Sequence, residues 1–281
     1  MSTFVSFIAI FTQIFILSIF VSLSGYVFRK LVINFNHLSK FEEDGLYGFI
    51  FIGFISLLLN FFIPLNTLHN SLFFILIVSI GVYFGFFNQN KKLILYKSIL
   101  ISFIAFVLII YSNVNRPDAW LYHLPYSSIL NDHKIILGVA NIHERFAHVS
   151  IFQYISSFFV NHIYSQNGLL IPISLVPSFF YVYCVKKFIN DFDNIKKRLN
   201  AYFVFLFFVI SVYSFSRYSG WGNDAQVHIY YFLTIIYLLD LNNNKNNLEL
   251  FYKLSLTSLF TFLIKPFYLL SIIIPFVYFI F

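Results

Sequence analysis

Residues 113–162 hold the densest collection of side chains able to do chemistry: Arg116, Asp118, His123, Asp132, His133, His143, Glu144, Arg145 and His148. Asp118 opens the run Asp-Ala-Trp-Leu-Tyr-His-Leu-Pro, directly after Arg116 and Pro117. A carboxylate in this setting can take a proton from a hydroxyl or a place beside a divalent cation. It suits a helix start equally well. Pro117 fixes its own φ and disfavours helix at Arg116, and an acid at a helix N-terminus stabilises it by about 1 kcal/mol. Five residues along a helix turn it by about 140°, so His123 does not share the face of Asp118, whereas Tyr122 does. Pro125 is expected to break or restart that helix. Trp120 and Tyr122 also suit interfacial aromatic anchors.

Three further groups accompany this one. The stretch NIHERFAH at 141–148 carries Asn141, His143, Glu144, Arg145 and His148. It lacks an HExxH pattern, and two histidines five apart do not align on one helical face, so a zinc site is not indicated. Arg145 suits a phosphate or a lipid headgroup, because a guanidinium offers a planar fork of donors. The stretch SFSRYSGWGNDAQ at 214–226 carries Arg217 and Asp224, with Gly220 and Gly222 permitting a tight turn. Asp224 also suits a helix cap, and His228 shares its face at i+4. Lys265, before Pro266, separates the last two apolar runs and can anchor at the interface or neutralise a phosphate.

The elements that must position these groups are membrane helices. The chain has 281 residues, of which 59% are hydrophobic, 22% aromatic and 10% charged; its mean hydropathy is +0.81. A soluble domain carries about 25% charged residues. Forty-one Phe and twenty Tyr exceed what one globular core hides, so lipid is the expected solvent. The net charge of +7 comes from short basic clusters between apolar runs, which is how orientation signals look, and no nucleic-acid partner is expected. Cys184, the single cysteine, sits in an apolar run and excludes a disulfide within the chain. The apolar N-terminus has no basic segment before it and is too long for a signal peptide, so it reads as an uncleaved transmembrane helix.

The expected fold class is all-α, a polytopic transmembrane helix bundle. Apolar runs long enough to cross a bilayer give about nine spans, near 4–28, 46–66, 70–88, 93–112, 168–188, 199–215, 225–240, 249–264 and 266–281. Open strands cannot satisfy their backbone in lipid, so the runs must be helices. The run 149–164 carries Gln153, Asn161 and His162 and is expected at the outer interface or dipping part-way. With the N-terminus outside, thirteen Lys and Arg fall on one side and five (Arg116, Lys134, Arg145, Arg217, Lys265) on the other, so the side with thirteen is cytoplasmic. Seven of the eight histidines, all but His37, then lie outside. Three segments follow: N-terminal transmembrane helices at 1–112, an outer catalytic-type loop with an interfacial helix at 113–167, and C-terminal transmembrane helices at 168–281. The chain stops inside an apolar run at Phe281, the pattern expected of a shortened chain. Heavy use of Phe, Ile, Asn and Lys suits an AT-rich genome and a bacterial inner membrane.

The pattern Asp118, Tyr122, His123, Leu124, Pro125 resembles the first outer loop of GT-C-type membrane glycosyltransferases, the mannosyltransferase-like enzymes that use polyprenyl-phosphate sugars. The run YHLP followed by GVANIHERFAHVS, with Gly138, Asn141, Arg145 and Ser150, is more similar to a group of uncharacterised bacterial multi-pass membrane proteins distantly related to them. The loop GWGNDAQ resembles their second outer acidic loop, with Asp224 in the acidic position, and Lys265 matches a later lysine-bearing junction. The likeness covers about 118–270.

It implies transfer of a sugar from a polyprenyl-phosphate donor to a glycan, lipid or protein acceptor at the outer face, with inversion at the anomeric carbon. It places the role of acceptor base or metal ligand on Asp118; the candidate catalytic residues are then Asp118, His123 and Asp224, and the candidate substrate-binding residues Tyr122, Asn141, Glu144, Arg145, Arg217 and Lys265. It admits a divalent metal, Mg or Mn, as the one cofactor. Position 119 is Ala where the family has a second acid, which departs from that metal pattern. The alternative readings are a transporter or flippase of a lipid-linked or anionic solute, a surface-polysaccharide polymerase or ligase, and a structural membrane subunit.

Overall fold

The computed structural model describes residues 2–33, 40–111, 119–147, 149–214, 223–244 and 247–280. Among them there are helices and no strands. The helices are α1 (Ser2–Phe28), α2 (Phe41–Phe62), α3 (Thr67–Tyr83), α4 (Lys91–Tyr111), α5 (Leu124–Asp132), α6 (Ile151–Phe158), α7 (Ile171–Phe192), α8 (Arg198–Tyr213), α9 (Asp224–Asn243), α10 (Leu248–Ile264) and α11 (Leu270–Ile280).

Among the described residues, three helical stretches are long and apolar enough to cross a membrane: Ser6–Val32, Phe41–Phe62 and Lys91–Ile110. Length separates α3, α8, α10 and α11 from these; they run 17, 16, 17 and 11 residues, against about 20 for an untilted crossing. Lys186, Lys187 and Asp191 interrupt the apolar character of α7.

Contacts sort the helix termini into two ends of one bundle. At the first, the Asn60 amide at the end of α2 donates to Leu130 O at 3.3 Å and His133 O at 3.0 Å. The Asn70 amide near the start of α3 donates to Leu65 O, Ser157 O and Val160 O at 2.7–2.9 Å. Gln13 of α1 donates to Ile163 O at 2.9 Å and accepts from Asn167 at 2.8 Å. These bonds pin residues 130–133 and 157–167 across one end, the loop end. A small core of Leu65, Tyr126, Leu130, Val139, Phe146 and Tyr154 lies beneath. The main core joins N- and C-terminal helices, and Tyr230 of α9 donates its hydroxyl to Leu46 O at 2.8 Å.

Several boundaries differ from the apolar runs, each for a local reason. α2 starts at Phe41 and takes in Glu42, Glu43 and Asp44, because cations from other helices neutralise them. α3 stops at Tyr83, because Gly85 adopts φ +77° and opens a short 3-10 turn that ends the helix before the apolar run does. Pro125 marks where a helix restarts, as expected. It sits in the first turn of α5, where its missing N–H leaves no bond unmade, and a π-type turn at Ala119–His123 leads into it.

The segment 149–164 forms only α6, eight residues and about 12 Å long, far too short to cross a bilayer. All eight of its residues are buried, so α6 is held within protein rather than laid against lipid headgroups.

Candidate functional site

Two polar centres occupy the two ends. The loop-end centre gathers residues from far apart in the chain. Lys265, at the junction of α10 and α11, places its ammonium 2.5 Å from Asp224 Oδ1 at the start of α9. Both side chains reach the surface, at 38% and 59% exposure. Burial pushes the Asp224 carboxyl up, but the bond and charge of Lys265, with His228 and His123 beside it, hold it below its ordinary 3.8. His228, one turn further along α9 as its spacing predicts, turns its ring edge toward Tyr268 at 6.2 Å.

His123, buried, lies against Tyr122 with ring centroids 4.1 Å apart and the rings tilted by 42°. Arg145 reaches back over the Tyr122 ring at 5.4 Å, a cation–π contact that brings its guanidinium to this group. Its turn is ordered by the Arg145 N–H donating to His143 Nδ1 at 3.2 Å and by His143 packing on Phe146. Asn141 and Glu144 stand exposed on short 3-10 turns, Val139–Asn141 and Glu144–Ala147. Gly138, before the first turn, needs its φ of +81°, which disfavours a side chain there.

The structure therefore brings together His123, Tyr122 and Arg145, and also Asp224, His228 and Lys265; His123 and Asn223, which directly precedes Asp224, line one small cavity that joins the two groups. Asp118 and Arg217, with Arg116 and His148, lie outside the described residues. Among the described residues no three His, Cys, Asp or Glu side chains gather as a metal site. The Asp224 carboxylate is engaged by the Lys265 ammonium.

The second centre has no counterpart among the sequence expectations. Glu42, Glu43 and Asp44 form the first turn of α2 and contact five other elements. Asp44 takes two bonds from Arg29, just after α1, both at 3.0 Å. Glu42 pairs with Lys97 of α4 at 2.6 Å and Lys186 of α7 at 2.8 Å. Glu43 accepts from Lys253 of α10 at 2.7 Å and from the Tyr237 hydroxyl of α9 at 3.1 Å. Lys187 spans Asp191 and Asp240, each at 2.8 Å.

These groups line a cavity of about 560 Å³. Arg29, Lys186, Lys187 and Lys253 on its wall each pair with a carboxylate of another element, and these pairs tie the helices together. A run of three acids beside a membrane segment, with lone lysines inside other segments, was the available signal: charge at a membrane rim faces the interior and is paired.

No curated protein and no solved structure matches the chain. Residues 7–281 match the profile of a family described as "Domain of unknown function (DUF8201)", and the chain belongs to that family.

Proposed function

We propose that the protein is an integral membrane glycosyltransferase that moves a sugar from a polyprenyl-phosphate donor to a glycan, lipid or protein acceptor at the loop end. The observation that carries this reading is the pairing of Asp224 with Lys265 beside the small cavity that His123 shares with Asn223, drawn from three separated parts of the chain. Nine of the helices (α1–α4 and α7–α11) make up the membrane bundle, with α1, α2 and α4 as its long spans; α5 and α6 belong to the loop end, and the Lys and Arg excess argues for the loop end outside.

The donor enters sideways from the bilayer. Lys265 and Arg145, with Arg217, hold its phosphate and stabilise the charge that grows as the sugar–phosphate bond breaks. The bonding electrons pass to the leaving phosphate. Asp118 takes the proton of the acceptor hydroxyl as that oxygen attacks the anomeric carbon. Asp224 fixes the Lys265 ammonium at the mouth.

The test is Asp118→Asn, which is expected to insert normally and lose transfer; full activity would remove Asp118 from the mechanism. Transport is the second reading, favoured by the polar cavity at the opposite end. It ranks lower because transporters carry their charges near the midplane, whereas here they gather at the two ends.

A further inference from the structure

The loop-end helix α6 begins with a reciprocal cap. The Ser150 hydroxyl accepts from the Phe152 N–H at 3.2 Å, and the Ser150 N–H donates to Gln153 Oε1 at 3.0 Å. The second bond does more than stabilise the helix end. Gln153 is 4% exposed, and its amide now has a defined direction. Oε1 faces the Ser150 N–H, so Nε2 faces the other way, where it lies 3.4 Å from His123 Nδ1. Reversing the amide would set its NH2 against the Ser150 N–H, two donors with no acceptor between them, inside a buried site.

An amide NH2 only donates, so His123 Nδ1 must accept, and the neutral ring then carries its proton on Nε2. A cavity of about 10 Å³, the room of one water, lies between His123, Ser127, Gln153, Ser156 and Asn223. Asn223 directly precedes Asp224, so this ring borders the turn that holds the candidate site.

We propose that Gln153 is a positioning residue that holds His123 as its neutral Nε2–H tautomer, so that His123 serves the loop-end site as a hydrogen-bond donor and not as a base. Its part in transfer rests on the glycosyltransferase reading; the tautomer does not. In that reaction the Nε2–H is matched to a phosphate oxygen, whose charge rises as the sugar leaves.

Gln153→Glu separates the two jobs of this side chain. Glutamate at this position keeps the cap on α6, because the Ser-x-x-Glu box is as competent as Ser-x-x-Gln. It replaces a donor toward Nδ1 by an acceptor. Full-length protein in nanodiscs, labelled with ring-¹⁵N histidine, gives the tautomer directly at pH 8, with the His123 signals assigned by loss in His123→Asn. The native protein is expected to show an unprotonated Nδ1 and a protonated Nε2. Gln153→Glu is expected to protonate Nδ1, and Gln153→Leu to mix the tautomers. A protonated Nδ1 in the native protein, or unchanged His123 signals in Gln153→Glu, overturns the proposal.

The same samples are assayed for release of polyprenyl phosphate from polyprenyl-phosphate sugars, where Gln153→Glu is expected to lower kcat about a hundredfold, the effect of losing one charge-stabilising donor. The tautomer as stated with native transfer unaffected by Gln153→Glu removes its role in the reaction. The tautomer as stated with no transfer by the native protein overturns the glycosyltransferase reading and leaves the assignment of Gln153 standing.

Discussion

Replacing Asp44 by Asn tests whether the acids of α2 are structural fasteners. Arg29 Nε and an Nη bond the two Asp44 oxygens at 3.0 Å each. The side chains are only 9% and 3% exposed. Asparagine keeps the size of the side chain and one acceptor oxygen, but removes the charge that balances a guanidinium taken out of water. Breaking a buried pair from one side costs about 3–5 kcal/mol, since the remaining charge stays desolvated.

Removing both charges has a different outcome. Arg29→Met with Asp44→Leu replaces the pair by apolar groups of similar bulk, an exchange that is often neutral or stabilising by about 1–4 kcal/mol. The double variant should therefore match or exceed the native protein, while Asp44→Asn alone falls well below it. Reversible unfolding in mixed micelles, followed by helical circular dichroism against added SDS, reads both. A loss under about 1 kcal/mol in Asp44→Asn, or a double variant as unstable as the single one, would refute the buried-pair reasoning.

Other parts of the structure give further tests. A Cβ at Gly48 would lie 1.9 Å from Val21 O, and one at Gly53 no closer than 3.1 Å to Phe260. Gly48→Ala should thus force α1 and α2 apart and cost about 1–3 kcal/mol, with Gly53→Ala costing less, by the same unfolding titration. Asn70→Leu removes the amide donor from the Leu65, Ser157 and Val160 carbonyls; it should cost about 1–3 kcal/mol and speed proteolysis within 133–167. The depressed Asp224 carboxyl keeps its charge, and its contribution to holding Lys265, at every pH above 3.8, and gives it up only as pH falls through its lower folded value. An acid limb of activity between pH 5 and 7 should therefore be unchanged in shape by Asp224→Asn. A limb that vanishes in that variant would contradict the assignment.

Apolar run length made most of the helices legible, because a helix in lipid must be both apolar and internally bonded. Boundaries were less so. The end of α3 depends on the φ of Gly85, and the apolar residues that follow it hide the stop. The start of α2 depends on cations that arrive from four other segments, and no local pattern names those partners. The cap of α6 was readable in principle, since Ser150 and Gln153 have capping-box spacing, but a run of apolar residues around them invites a longer interfacial helix. Within the candidate site, the i+4 relation of Asp224 and His228 was local and visible. The pairing of Asp224 with Lys265 joins residues 41 apart and is set by how α9 and α10 pack.

The central claim is chemical, and one measurement meets it most directly. The full-length protein in proteoliposomes is given a panel of radiolabelled polyprenyl-phosphate monosaccharides, and release of polyprenyl phosphate is followed for the native protein, Asp118→Asn and Lys265→Gln. The account predicts release from at least one donor by the native protein, loss of it in Asp118→Asn, and a raised KM for the donor in Lys265→Gln. No release from any donor, or equal release by all three proteins, would contradict it.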